Sequence, residues 1–213
     1  RSGGSTPDTG DRAMIQPYGV ILAGGQATRM GGGDKGLRDL GGQTLLARVE
    51  ARLAPQVAGL ALNANGDPAR FAGLGMPVIA DSVAGFAGPL AGVLAGLDWA
   101  AERGAQTIVT AAADTPFFPC DLVPQLLLAS EGMDHPLVLA TTPDPQRGRA
   151  RHPTFGLWPV ALRDDLRAAL EGGLRKVVLW TEKHGGREAL FPDEDAFFNV
   201  NTPDDLARAE SML

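Results

Sequence analysis

The sequence predicts an α/β domain with a mostly parallel central sheet that is covered by helices on both faces. Short apolar segments alternate with segments of helical character, in the order β-α-β-α-β-α-β-α-β up to residue 142. Strands that are apolar throughout are typical of a parallel sheet buried on both sides. The length of 213 residues and the hydrophobic content of 44% fit one globular domain with a sizeable core.

The first part of this pattern contains five strands and four helices. Short apolar runs predict the strands, at 18–23, 59–63, 77–80, 107–112 and 136–141. The helices lie between them, at 44–53, 67–72, 89–102 and 121–129. The first of these helices carries its apolar residues on one stripe. Pro89 falls in the first turn of the third helix, and Asp121 is a favoured N-cap residue for the fourth.

The pattern changes after residue 142. The predicted elements are a polar loop at 142–151, a strand at 154–158, helices at 161–170 and 174–184, a strand at 189–191 and a helix at 204–211. Thr202 is the expected N-cap of the last helix, with Pro203 in its first turn. Because no linker divides the chain, residues 18–213 are predicted to form a single domain. Residues 1–17, rich in small and polar side chains, are predicted to be a flexible N-terminal tail.

Charge and cysteine content exclude several classes of protein. The net charge of −6 and the pI of about 5.0 disfavour a general nucleic-acid binder. Cys120, the single cysteine, excludes an internal disulfide framework and a cysteine-rich metal site. No run of 18 apolar residues predicts a membrane span, and residues 1–17 lack the apolar core of a signal peptide. We therefore expect a cytoplasmic protein without nucleic-acid or membrane partners.

A glycine-rich loop at 24–36 follows the first strand. Ligands of open parallel sheets bind beyond the carboxyl ends of the strands, where this loop is predicted to lie. Gly24 and Gly25 allow backbone N–H groups to approach phosphate oxygens, and Arg29 and Lys35 add positive charge. The alternative is a flexible surface loop with incidental charge. The position after the first strand favours a phosphate-binding loop.

Two common phosphate-binding motifs do not fit this loop. A P-loop requires Lys followed by Ser or Thr, whereas Gly36 follows Lys35. The spacing G-x-G-x-x-G does occur, at Gly31, Gly33 and Gly36, but it begins several residues after the strand. The dinucleotide fingerprint lies in the tight turn between strand and helix. We therefore exclude a dehydrogenase of this type.

The loop resembles the signature of a known enzyme family. The pattern L-A-G-G-x-x-x-R-M-G-x-x-D-K-G-L, at 22–37, is similar to that of molybdenum cofactor guanylyltransferases, within the nucleotidyltransferase superfamily. Further segments resemble the family's motifs in the same order, at 62–65, 79–82, 88–92, 114–116, 152–154 and 199–203. The resemblance implies a Rossmann-like, three-layer fold. It also implies transfer of GMP from GTP to the phosphate of molybdopterin, with release of pyrophosphate.

The resemblance assigns residues to the nucleotide and to a metal ion. The implied nucleotide-binding residues are Leu22, Ala23, Gly24, Gly25, Lys35, Asn63, Asp81 and Asp114. Lys35 is implied to bind the phosphates, with Arg29 and Asp114 as further catalytic residues. Asp114 is also the implied Mg²⁺ ligand, although an Asp before Thr-Pro is often only a turn former. Asp81 has the comparable alternative of a capping role.

One residue in the sequence indicates which nucleotide base is bound. Gly24 replaces the second alanine of the L-A-A-G pattern of cytidylyl relatives. The missing methyl group leaves room for a purine, and the resemblance selects GTP rather than ATP. The resulting hypothesis is an Mg²⁺-dependent guanylyltransferase that supplies cofactor-insertion and target oxidoreductase proteins. The alternatives are a related cytidylyl- or NDP-sugar nucleotidyltransferase, and a non-catalytic GTP-binding module.

His152, Asn199 and Asn201 are the candidates for contact with molybdopterin. Residues 18–142 would then form the nucleotide-binding part of the domain and residues 143–213 the second-substrate part. A His before Pro is also common in structural loops, and Asn201 is an alternative metal ligand. The loop at 147–151 carries three arginines, which either bind the pterin phosphate or are simply solvated.

Overall fold

The computed structural model describes residues 15–24, 34–85 and 88–213. Gly25, Arg29 and the first 14 residues of the predicted tail lie outside the described residues. None of the helices in the described ranges combines the length and the apolar character needed to cross a membrane.

The described chain forms nine strands and six α-helices, with short 3₁₀ turns between them. In chain order they are β1 (Tyr18–Leu22), β2 (Asp39–Leu40), β3 (Gln43–Thr44), α1 (Leu45–Leu53), β4 (Leu60–Asn63), β5 (Val78–Ile79), α2 (Pro89–Ala101), β6 (Thr107–Ala112), α3 (Leu122–Ala129), β7 (Val138–Asp144), β8 (Gly148–Pro159), α4 (Arg163–Glu171), α5 (Val177–Lys183), β9 (Arg187–Leu190) and α6 (Pro203–Glu210). Two of these 3₁₀ turns are Lys35–Leu37 and Pro68–Phe71.

Seven strands form one mostly parallel sheet in the order β5-β4-β1-β6-β8-β7-β9. β1 pairs in parallel with β4 and β6, β4 with β5, and β7 with β9. Of the seven strands, β8 alone runs antiparallel, between β6 and β7. The carboxyl ends of β1, β4 and β6 therefore meet at one edge of the sheet, as the sequence predicted.

Helices cover both faces of the sheet. Along β1, Ile21 belongs to one hydrophobic cluster, and Val20 and Leu22 belong to another, because successive strand side chains point to opposite faces. The first cluster includes apolar residues of α1 and α3, and the second includes those of α2, α4 and α5. The arrangement is the predicted three-layer α/β architecture.

The prediction of a polar loop at 142–151 is wrong. β7 continues to Asp144 and β8 begins at Gly148, so these residues form a hairpin. The register between β7 and β8 shifts between Leu139 and Ala140, where β8 bulges. The first part of β8, residues 148–152, pairs with β7 but not with β6. Polar residues are tolerated here because residues 145–149 and 151 are exposed to solvent. The sequence also did not predict the small β2–β3 hairpin.

Candidate active site

A cavity of about 500 Å³ opens at the carboxyl ends of β1, β4 and β6. Eight of the residues predicted for the site line it: Leu22, Ala23, Gly24, Lys35, Asn63, Asp81, Asp114 and Asn199. These residues come from segments far apart in sequence, and the parallel sheet brings them together because its strands end at the same edge. His152 and Asn201 are not among the lining residues.

Asp81 is held by two asparagines on one side of the cavity. The Asn63 amide donates a hydrogen bond to Asp81 Oδ1 at 3.0 Å, and the Asn65 amide donates to Asp81 Oδ2 at 2.9 Å. The backbone N–H of Asp81 in turn donates to Asn65 Oδ1 at 2.9 Å. Each carboxylate oxygen can accept more than one hydrogen bond, so Asp81 remains able to accept from a ligand. Asn65 was missed as a site residue, although it lies in the segment 62–65 that resembles a family motif.

Asn63 is buried against the first turns of α2. A Cβ atom at Gly92 would overlap Asn63 Oδ1 and would lie 2.9 Å from Leu22 Cδ2. Gly92 therefore lets α2 approach β1 and β4 closely enough to enclose the Asn63 side chain. The Asn63 amide also donates to the carbonyl of Ile79 at 3.2 Å, which fixes its orientation.

Lys35 and Asp114 lie on the opposite side of the cavity. Lys35 begins a 3₁₀ turn that packs tightly on the end of β6, where a Cβ atom at Gly36 would lie 3.4 Å from Ala113 Cβ. The Lys35 amine donates to Asn201 Oδ1 at 3.0 Å. Burial raises the pKa of Asp114 above its ordinary value, and the positive charge of Lys35 partly opposes this shift.

The segment that carries Asn199 and Asn201 is attached to Asp114. The backbone N–H of Val200 donates to the carbonyl oxygen of Asp114 at 2.9 Å. The fully buried hydroxyl of Thr115 lies 2.6 Å from Asn199 Oδ1 and 3.2 Å from Asp114 Oδ1. Sequence reasoning missed Thr115, since a threonine in a turn carries no distinguishing pattern. These contacts bring Asn199 to the cavity beside Asp114.

A capping box orders the start of the last helix. The Thr202 side chain accepts from the backbone N–H of Asp205, and the Asp205 carboxylate accepts from the N–H groups of Thr202 and Asn201. Thr202 is therefore the N-cap that the sequence predicted. The cap also fixes the backbone of Asn201, whose side chain receives the Lys35 hydrogen bond.

Asp114 is suited to a metal ion that takes most of its ligands from substrate and water. Within residues 15–24, 34–85 and 88–213, no three His, Cys, Asp or Glu residues are grouped as metal ligands. A partly buried carboxylate beside an amide oxygen fits a hard cation such as Mg²⁺, which usually keeps waters and binds substrate phosphates. The residues present therefore fit a divalent metal that enters with a nucleotide.

The His152 side chain, on β8, contacts Phe197 and the neighbouring strand β7. Its ring stacks on Phe197 with the centroids 4.4 Å apart, and Nε2 lies 2.8 Å from the Thr142 hydroxyl. Burial lowers the pKa of His152 below its ordinary value. Thr154, two residues further along β8, lines the cavity instead. The assignment of His152 to the second substrate stays a prediction.

The arginines of the hairpin are largely engaged by acidic residues. Arg149 and Arg151 both contact Glu188, at 3.2 and 2.7 Å, and Arg151 also contacts Glu182 at 3.2 Å. Their charges are therefore partly neutralised within the fold. This pairing favours solvated arginines on the hairpin over a phosphate site at 147–151.

Comparisons with known proteins identify the family. Residues 19–185 match the family model described as a MobA-like NTP transferase domain. A molybdenum cofactor guanylyltransferase of Cereibacter sphaeroides is 54% identical over 196 residues, covering 92% of this chain and 96% of the relative. The chain belongs to the molybdenum cofactor guanylyltransferase family. As a member, it is a nucleotidyltransferase of molybdenum cofactor biosynthesis, and the predicted family is confirmed.

Further relatives support the same family and fold. A guanylyltransferase of a Bradyrhizobium species is 52% identical, covering 91% of this chain and 92% of the relative. The crystal structure of molybdopterin-guanine dinucleotide biosynthesis protein A from Archaeoglobus fulgidus has a TM-score of 0.68 at 25% identity, covering 92% of this chain and 97% of that one. Asn199 and Asn201 lie beyond the segment that matches the family model, so their place in the site rests on the structure.

Proposed function

We propose that this protein transfers GMP from GTP to the terminal phosphate of molybdopterin, forming the guanine dinucleotide cofactor and releasing pyrophosphate. One observation carries the proposal: Lys35, Asp114, Asp81 and Asn63 line a single cavity at the carboxyl edge of the sheet. The relatives named molybdenum cofactor guanylyltransferase support it, as does the Archaeoglobus structure of a molybdopterin-guanine dinucleotide biosynthesis protein. The chain's own residues supply both a cationic group and a carboxylate for a nucleotide and its metal.

We assign the two ends of the cavity to different parts of GTP. In this assignment Asp81, held by Asn63, receives the base, because a carboxylate can accept the guanine N1–H and amino group together. Leu22, Ala23 and Gly24 supply backbone and apolar surface along β1. An added Cβ atom at Gly24 would meet no atom within 4 Å, so the cavity is open beside this glycine, where the base would lie.

Lys35 and Asp114 act on the phosphates in this proposal. A phosphate oxygen of molybdopterin attacks the α-phosphorus of GTP, and the bond from that phosphorus to the bridging oxygen breaks as pyrophosphate leaves. Lys35 exchanges its hydrogen bond to Asn201 for one to the phosphates and stabilises the leaving group. Asp114 would hold Mg²⁺, which would supply neutralisation of the phosphate charge. Positioning and charge neutralisation account for the chemistry, with no covalent step on the protein.

We assign residues 143–213 to the second substrate and residues 18–142 to the nucleotide. Thr154 and Asn199 line the cavity from the later segment, beside Asp114. Asn199 and Asn201 then contact molybdopterin, His152 contributes from the hairpin, and Arg29 and Gly25 assist at the phosphates. We further propose that the reaction takes place in the cytoplasm, where GTP is available. The product would then pass to the proteins that insert it into oxidoreductases.

Pyrophosphate release with GTP, CTP, ATP and UTP, measured with and without molybdopterin, tests the proposal. We expect release with GTP only when molybdopterin and Mg²⁺ are present. Lys35→Ala and Asp114→Ala are expected to lower the rate at least a hundredfold while the fold survives. Lys183→Ala removes a surface cation that pairs with Asp165 at 3.6 Å and serves as the matched control. Release with CTP, or full Mg²⁺-dependent activity in Asp114→Ala, would contradict the assignments.

A further inference from the structure

Asp34 brings a carboxylate into the cavity next to Lys35. It is the residue before the 3₁₀ turn, it lines the cavity, and its side chain is 25% exposed. An unpaired carboxylate at this place would repel the phosphates of a nucleotide and would attract the Lys35 amine. The proposed function therefore requires that the charge of Asp34 be neutralised by another group.

Arg70 provides that neutralising charge. Its Nε donates to Asp34 Oδ2 at 3.0 Å, and its Nη2 donates to the carbonyl oxygen of Asn65 at 2.8 Å. The guanidinium also lies 5.0 Å from the centroid of the Phe71 ring. These three contacts restrain the side chain, although it is 38% exposed. Arg70 thus joins the Lys35 segment to the asparagine that holds Asp81.

Gly66 makes room for this arrangement. It has a φ of +85°, a backbone conformation that favours glycine, and a Cβ atom there would lie 3.0 Å from Arg70 Nη1. The turn after β4 can therefore fold close around the guanidinium.

Arg70 could act on a nucleotide directly or through Asp34, and its location separates the two roles. Asp34 is among the residues that line the cavity, whereas Arg70 is not. We infer that Arg70 is a positioning residue that holds and neutralises Asp34, so that Asp34 does not draw the Lys35 amine away from the phosphates. This inference rests on the proposed nucleotide site, which it extends to Arg70, outside every motif, and to Asp34, a motif residue to which no role was assigned.

The two roles predict opposite results in a double-mutant cycle. If Arg70 acts through Asp34, Arg70→Gln exposes a repelling charge, and removing that charge with Asp34→Asn restores binding. If Arg70 binds the phosphates itself, Asp34→Asn does not rescue Arg70→Gln. One unit charge several ångströms away in a solvated site changes an affinity about five- to tenfold.

The experiment measures the affinity for GTP in the presence of Mg²⁺ by calorimetry, without molybdopterin. We expect Arg70→Gln to weaken binding about five- to tenfold, and the Asp34→Asn/Arg70→Gln double variant to bind within about twofold of the wild type. Arg70→Lys is expected to retain most of the affinity because it keeps the charge. Arg103→Gln removes a surface cation paired with Glu102 at 3.7 Å, beyond the far end of α2, and is the matched control.

A double variant as weak as Arg70→Gln would overturn the inference, and so would unchanged binding in Arg70→Gln. Inorganic tripolyphosphate, which carries the phosphate charge without a base, serves as the second probe. If the wild type binds tripolyphosphate and follows the expected cycle but does not bind GTP, the role of Arg70 holds and the proposed nucleotide is wrong. If neither anion binds the wild type, the role of Arg70 fails. Thermal denaturation of each variant verifies that it is folded.

Discussion

Replacement of Gly92 by alanine tests whether close packing of α2 holds Asn63 in the site. The added Cβ atom would overlap Asn63 Oδ1 and would lie 2.9 Å from Leu22 Cδ2. Asn63 is only 3% exposed and has little space in which to move. We therefore expect its amide to rotate and to lose its hydrogen bonds to Asp81 and to the carbonyl of Ile79.

The magnitude follows from two opposing effects. Overpacking a well-filled core costs about 1–3 kcal/mol, and alanine in a helix recovers up to about 1 kcal/mol relative to glycine. The central values leave a net loss of about 1 kcal/mol, which corresponds to a melting temperature lower by roughly 2–4 °C for a domain of this size. Misplacing Asp81 removes about one hydrogen bond from the site, which corresponds to roughly tenfold weaker GTP binding.

Thermal denaturation and GTP calorimetry measure these two effects. Gly75→Ala is the matched control, because a Cβ atom at Gly75 would meet no atom within 4 Å. In an Asn63→Ala background, Gly92→Ala should cost less stability than in the wild type, since its main steric conflict is gone. A Gly92→Ala protein with the stability and GTP affinity of the wild type would refute the role of this packing.

Three further predictions concern Asp114, His152 and Gly24. Burial raises the pKa of Asp114, so the folded protein loses stability as the pH rises through the native pKa and the carboxylate becomes charged. Asp114→Asn should therefore melt at a higher temperature than the wild type near pH 7 without ligands. Its rate of GMP transfer should nevertheless fall about a hundredfold or more. Differential scanning calorimetry decides this, and a lower melting temperature would contradict it. Burial lowers the pKa of His152 below 6.5, so the stability that its neutral ring contributes is present above that pH and is lost as the pH falls through the native pKa. Urea unfolding at pH 7.5 and pH 5 should show that the free energy of unfolding changes less with pH in His152→Gln than in the wild type. An equal change in the two proteins would refute this. Gly24→Ala adds a methyl group where no atom lies within 4 Å, so the melting temperature should stay within about 1 °C while the preference for GTP over CTP falls roughly tenfold. Competition between the two nucleotides in a pyrophosphate-release assay measures the ratio, and an unchanged preference would exclude Gly24 from base selection.

Much of the sheet could be predicted from the sequence because its strands are short, apolar and separated by helices. The predicted strand at 107–112 coincides with β6, and the predicted N-cap at Thr202 begins α6. The outer part of the β7–β8 hairpin could not be predicted, because its polar residues are stabilised by pairing with each other outside the buried core. The local pattern of apolar residues therefore gives no sign of this strand pairing.

The sequence by itself determined the class of fold, the family and the segments that carry the site, since hydrophobic periodicity and motif spacing are local properties of the chain. Only the tertiary structure decided which of these residues meet. Lys35 reaches Asn201 and Thr115 reaches Asn199 across more than eighty residues, and Arg70 pairs with Asp34 through a turn that no motif marks. Such contacts depend on strand order and on how tightly helices pack, which are set by the burial of the whole core rather than by any one segment.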